Sequence, residues 1–181
     1  MTPLRTRIAN TKMALAFSRW WSITALVLSL AMLGTAWSFQ LFGHLNPCHL
    51  CLKQRDIYWM AVGVSLVASV WALFVGAKGP PRVFSFVLFA IFATGAALAL
   101  FHAGVEWKWW PGPTACTGTG GDLSFGDLSS GNIEKVIPCD QVQWRDPIIQ
   151  FSLAGYNALL SLLDVVLLLA AIVVQARRRR A

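Results

Sequence analysis

Asn46-Pro47-Cys48-His49-Leu50-Cys51-Leu52-Lys53-Gln54-Arg55 stands where one apolar run ends and, from Ile57, the next begins. Asn46 suits an N-cap and Pro47 the first helical position, so the stretch predicts a helix start that carries a Cys-X-X-Cys dithiol in its first turn. Unpaired amides and partial positive charge at such an end stabilise a thiolate relative to a thiol. Cys51 lies three residues after Cys48, and Arg55 four after Cys51, which puts all three on one helix face.

Beyond this motif the helix runs into hydrocarbon. The chain has 181 residues, 56% of them hydrophobic, far from the composition of an ordinary soluble domain. Its mean hydropathy of +0.59 points the same way. Apolar runs at about 20–42, 57–76, 83–103 and 148–174 each reach the ~20 residues a helix needs to cross a bilayer. The expectation is an all-α membrane protein: one membrane domain over 1–181, built as a four-transmembrane-helix bundle. Arg5, Arg7, Lys12 and Arg19 precede the first run, Lys78 and Arg82 lie between the second and third, and Arg177 to Arg180 follow the fourth. The positive-inside rule then places both termini in the cytoplasm, with 1–19, 77–82 and 175–181 on that side and two periplasmic loops, 43–56 and 104–147, on the other. The net charge of +7 is thus topogenic, and no nucleic-acid partner is expected.

The first apolar run is too long for a signal h-region and reads as an uncleaved anchor. Trp20 and Trp21 at one end, with Trp37, Phe39 and Phe42 at the other, suit interfacial belts. Pro80, Pro81 and Gly79 force a turn between runs two and three. Run three carries Ala93, Gly95, Ala96, Ala97 and Ala99, small enough for close helix approach. The Trp-rich stretch from Glu106 to Pro111 is suited to the headgroup region. The long loop is Gly- and Ser-rich in its middle, with a short helical turn expected over 132–137. Asp164, the single acid inside a run, is left out of the site.

All four cysteines, Cys48, Cys51, Cys116 and Cys139, fall in the loops that charge assigns outside, where thiols pair and persist. A Cys-X-X-Cys closes too small a loop to be an effective staple, so redox chemistry or metal binding explains it better. Cys116 and Cys139 suit either a staple or a second redox pair. A four-thiolate zinc site is a further alternative, disfavoured by the wide spacing of the second pair and by Arg55 beside the first. No metal is expected. There is no dinucleotide glycine fingerprint and no pair of intramembrane histidines for haem. A lipid-soluble quinone at the outer helix ends is the acceptor that remains. Arg55 would stabilise charge on its oxygen, and His102, at the same height, would be a second contact.

Four apolar helices, a Cys-X-X-Cys followed four residues later by Arg55, a second cysteine pair in a longer loop, and the Pro111, Gly112, Pro113, Cys116 cluster together resemble the bacterial disulfide bond formation protein B family. The resemblance implies an inner-membrane thiol:quinone oxidoreductase that keeps the periplasm oxidising. It implies a partner, a periplasmic thioredoxin-like thiol oxidase, that attacks a Cys116–Cys139 disulfide at Cys116. Cys48 would then exchange with Cys139, and Cys51 would pass electrons to ubiquinone, or menaquinone, beside Arg55. Two other readings are a non-enzymatic, disulfide-stapled membrane scaffold and the four-cysteine metal protein.

Overall fold

The computed structural model describes residues 2–75, 79–116 and 137–180. Four long helices carry the fold: α1 (Thr2–Leu41), α2 (His49–Val70, continued by a π-helical turn Trp71–Val75), α3 (Arg82–Glu106) and α4 (Leu153–Arg180). Each contains a stretch long and apolar enough to cross a membrane: Trp20–Leu41, His49–Val75, Arg82–Glu106 and Leu153–Arg177. Among the described residues the only β pairing is an isolated bridge between Arg145 and Ser152. The all-helical, four-span architecture read from the sequence is the one observed.

Each helix packs against the next in sequence, and α4 closes back onto α1, giving an up-and-down bundle. Small residues occupy the seams, because lipid offers no hydrophobic drive for association and close backbone approach must supply the contact. Ala61, Ala68, Ala96, Ala99, Ala154 and Ala171 are all buried. Gly95 is buried too, and a Cβ there would come within 3.2 Å of Ile57. Ala97, by contrast, faces outward. Several buried serines donate within their own helices, as Ser29 to the Ala25 carbonyl at 2.8 Å and Ser65 to that of Ala61 at 2.6 Å, while Ser85 reaches across to Gln175. Leu88, Phe92 and Tyr58 fill the middle of the bundle, with Tyr58 edge-on to Phe92.

Several boundaries differ from the sequence reading. Helix α1 reaches back to Thr2, so the basic segment before the first apolar run is helical. Helix α2 begins at His49, and its N-cap is Cys48 rather than Asn46: the extended Cys48 backbone lets its own sulfur accept the Cys51 amide at 3.3 Å. Helix α3 continues past His102 to Glu106. Helix α4 begins at Leu153, because Asp146 Oδ1 accepts the amides of Ile148 and Ile149 and holds residues 146–150 in a turn. The Trp-rich stretch is exposed at Trp107, Trp109 and Trp110 and turns on itself. With Lys108 in the left-handed region, it doubles back so that Trp110 stacks on Phe101 and donates to its carbonyl at 2.9 Å. Gly104 is required there, since a Cβ would fall 2.0 Å from the Trp110 ring. Residues 132–136 of the expected turn, the glycine-rich middle of the long loop and Lys78 lie outside the described residues.

Candidate active site

The N-terminus of α2, the last turns of α3 and the first turns of α4 meet at one end of the bundle, and the segments flanking the long loop fold over them. Cys48 caps α2 and Cys51 follows in its first turn, so their sulfurs stand 2.8 Å apart, unbonded. Hydrogen bonding to Cys51, and then burial, push the Cys48 thiol well above its ordinary range. Either sulfur can be the donor across this contact. Cys51 is the more accessible of the two.

Cys116 and Cys139 are joined in a disulfide. Cys116 ends a single 3-10 turn, Thr114–Cys116, and the Cys139 amide donates to the Cys116 carbonyl at 3.1 Å. Both are only 1% exposed, and they belong to one buried cluster with Cys48, Leu50 and Val105, with Cys51 packed against it. The structure thus brings all four sequence-predicted cysteines together. In this disulfide-bonded state Cys116 and Cys139 are not available as thiolate ligands.

His102 is 3% exposed and faces this cluster from α3. Its Nε2 lies 3.6 Å from Cys48 Sγ and 3.9 Å from Glu106 Oε1, and the Cys139 backbone also hydrogen-bonds the ring. Its Nδ1 lies 3.2 Å from the Gln54 amide nitrogen. An amide NH2 can only donate, so Nδ1 accepts and the ring proton sits on Nε2. Gln54 is itself held: Asn157 donates to its carbonyl oxygen at 2.7 Å, and Tyr58 donates to Asn157 at 2.6 Å. This chain links α2, α3 and α4 through buried polar groups, each costly to leave unpaired. Cys48, Cys51 and His102 present their ligand atoms within 4.8 Å of one another.

Arg55 is held from α1. It donates to Gln40 Oε1 at 2.5 Å and to the Ala36 carbonyl at 3.0 Å, and it lies over the Trp37 ring at 5.4 Å. Trp37 is thus more than an interfacial belt residue: it is a face for the guanidinium. Cys48, Cys51, Arg55, His102 and Glu106 all line one open cleft. Gln143 ties the covering segment to the loop before α2 by donating to the Asn46 carbonyl at 2.7 Å, and Trp144 packs on Phe39. Asp164 lines a separate cleft with Trp21 and Thr24 of α1, away from the cysteines.

Sequence reasoning missed Gln54, Tyr58, Glu106 and Asn157. A signal for them exists: each stands four residues from another polar partner, as Gln54 with Tyr58, His102 with Glu106, and Asn157 with Ser161. Polar pairs at helical spacing inside apolar runs mark faces turned inward.

A fixed dithiol beside a buried disulfide, carried on four spanning helices, defines a multi-pass membrane dithiol–disulfide protein. Residues 18–172 match the family model for Disulfide bond formation protein DsbB, and the chain belongs to that family. No curated protein and no solved structure matches it. Family membership makes it a membrane disulfide-bond oxidoreductase, which displaces the scaffold reading.

Proposed function

We propose that this protein oxidises a periplasmic thioredoxin-like thiol oxidase and passes the electrons to a membrane quinone, so sustaining disulfide formation in secreted proteins. It would lie in the bacterial inner membrane, with both cysteine pairs on the periplasmic side and both termini cytoplasmic. The observation that carries this reading is the shared cluster of the two cysteine pairs, at the edge of a cleft that also holds Arg55 and His102.

The relay assigns a role to each sulfur. The partner's thiolate attacks Cys116, and Cys139 leaves; Cys139 then exchanges with Cys48, and Cys51 is freed as the thiolate that faces the cleft. Exchange needs sulfur-to-sulfur contact, and burial of Cys116 and Cys139 beside Cys48 supports that order of transfer. The same burial shields Cys116 from a protein partner, so the covering segment must be displaced before attack.

The lining of the cleft suits a quinone ring in chemistry. Leu33, Phe39 and Ala154 offer apolar walls, while the Arg55 guanidinium and the His102 Nε2–H offer donors for carbonyl oxygens. A bound quinone, ubiquinone or menaquinone, supplies the two-electron sink. Arg55 is already anchored by Gln40 and Ala36, so it meets developing negative charge without reorganising.

Anaerobic mixing of purified protein, a soluble quinone and a reduced thioredoxin-like oxidase, followed by quinone absorbance, tests the reading. Quinone reduction is expected, and Cys51→Ser should lower it by at least about 10³-fold, as expected when a nucleophile is removed. Turnover unchanged by that substitution would refute it.

A further inference from the structure

Cys48, Cys51 and His102 bring two sulfurs and an imidazole nitrogen together from two helices, and neither loop cysteine is among them. Zinc bonds sulfur at about 2.3 Å and imidazole nitrogen at about 2.0–2.1 Å, so a tetrahedral site sets sulfur and nitrogen about 3.6 Å apart and two sulfurs about 3.8 Å apart. Cys48 Sγ and His102 Nε2 already stand at 3.6 Å. The two sulfurs, at 2.8 Å, have to part by about 1 Å. Rotation of the Cys51 side chain supplies that movement, since Cys51 is the half-buried member of the pair and borders the cleft. The wide spacing that counts against four cysteines does not apply to this set, because its third ligand comes from α3.

A ligating Nε2 must be free of its proton, which then sits on Nδ1 and needs an acceptor there. The polar chain behind His102 can provide one. Turning over the Gln54 and Asn157 amides lets Nδ1–H donate to the Gln54 carbonyl oxygen, Gln54 to the Asn157 carbonyl oxygen, and Asn157 to the Tyr58 hydroxyl, which donates to Ser161. The partners from His102 to Tyr58 stay the same, with donors and acceptors exchanged. A carbonyl on the far nitrogen is what holds a zinc-bound imidazole in its tautomer and orientation.

We propose that the reduced dithiol and His102 form a binding site for one Zn²⁺ ion, held by Cys48 Sγ, Cys51 Sγ and His102 Nε2, with a water from the cleft in the fourth position. Zn²⁺ enters as the two thiol protons leave to water, and the imidazole proton passes from Nε2 to Nδ1 by exchange with water; no electron moves. The net charge of the site is unchanged, so Arg55, held by Gln40 and the Ala36 carbonyl, meets no added cation charge. The oxidised pair has no thiolate to offer, so the site exists only in the reduced state, and an ion bound there keeps both sulfurs from disulfide exchange.

This inference needs the dithiol reduced but no step of the relay, so it stands or falls apart from the proposed function. Full-length Cys116→Ser, Cys139→Ser protein in detergent, reduced with a phosphine, is titrated with Zn²⁺ against a chromophoric chelator, and X-ray absorption at the zinc edge reads the ligands. One Zn²⁺ per chain is expected, with two sulfurs at about 2.3 Å and an imidazole nitrogen at about 2.0 Å, and the same shell is expected in the reduced wild type. In either protein, a site without imidazole or with more than two sulfurs would overturn the proposal, as would equal binding by the oxidised dithiol. His102→Ala should weaken binding by about 10²-fold or more, since losing a ligand costs at least as much as losing the partner behind one. His49→Ala, at the exposed histidine between the two cysteines in sequence, should leave the affinity unchanged. Wild-type affinity in His102→Ala, or the loss appearing in His49→Ala instead, would overturn the assignment. Bound Zn²⁺ should also slow alkylation of Cys51 by iodoacetamide by about 10-fold or more, because the coordinated thiolate is no longer free to attack; alkylation at the metal-free rate with the ion in place would contradict coordination by both sulfurs.

Discussion

The two cysteine pairs share one buried cluster yet are held there by different means. Cys48 and Cys51 are three residues apart on one helix end, and the cap that Cys48 makes to the Cys51 amide is local. Their place in space follows from where α2 starts. Cys116 and Cys139 are separated by 23 positions and meet through a bond, a backbone contact and packing on Val105 and Leu50. Their place depends on how residues far apart in sequence come together. A site held locally can keep a fixed orientation toward a cleft, whereas one held by tertiary contacts can leave and return, provided those contacts cost little to open.

The largest expected effect separates the two pairs functionally. Replacing both Cys116 and Cys139 by Ser should abolish quinone reduction driven by a protein partner. Reduction driven by dithiothreitol, which reaches Cys48 and Cys51 through the cleft, should remain within about threefold of wild type, because no reacting group of that shorter route is removed. Equal loss of both reactions would mean that the loop disulfide is needed to build the first pair's site.

A smaller effect is expected from the polar chain that orients His102. Asn157→Ala removes the donor to the Gln54 carbonyl oxygen and leaves the Tyr58 hydroxyl only its weaker contact with Ser161. Loss of stability of about 1–3 kcal/mol is expected, read from thermal unfolding in detergent. Asn157→Asp should fare worse than its size suggests, since it adds a carboxylate to a buried site. A melting curve unchanged by Asn157→Ala would show that the chain contributes nothing to holding the helices.

Much of the fold was legible in the sequence because its signals are one-dimensional. An apolar run of transmembrane length needs no partner to be recognised, and the Cys-X-X-Cys with Arg55 announces a shared helix face by spacing alone. The same directness failed at element ends. Asn46 and Pro47 are better cap and first-turn residues than Cys48 by propensity, yet a sulfur placed to accept the Cys51 amide took the cap. Asp146 and Pro147 stopped the fourth helix from starting where its hydropathy rises. The site was half legible: the cysteines, Arg55 and His102 stood out by chemistry, while Glu106, Gln54 and Asn157 acquire meaning only when three helices converge. Anchoring of Arg55 by Gln40 was equally invisible, because it joins positions on two different helices.

The smallest effect concerns the turn that sets where α4 begins. Asp146 accepts from Tyr156 at 2.5 Å and from the Ile148 and Ile149 amides, and these bonds hold its carboxyl below the usual range. Because its folded pKa is depressed, its stabilising contribution is fully present above the unfolded value and is lost as pH falls through the folded one. Protection of the Ile148 and Ile149 amides from hydrogen exchange should therefore persist on mild acidification and fade only in stronger acid. In Asp146→Asn that acid dependence should be absent. An identical acid response in the variant would assign the turn to Pro147 and Gln150 instead.

The central claim is that the fixed pair and the loop pair exchange through Cys48 and Cys139. Oxidation of the Cys51→Ser, Cys116→Ser double variant leaves those two sulfurs as the only candidates for a bond, and peptide mapping by mass spectrometry reads the result directly. The account predicts a Cys48–Cys139 disulfide in most molecules; recovery of both as free thiols under oxidising conditions would contradict it.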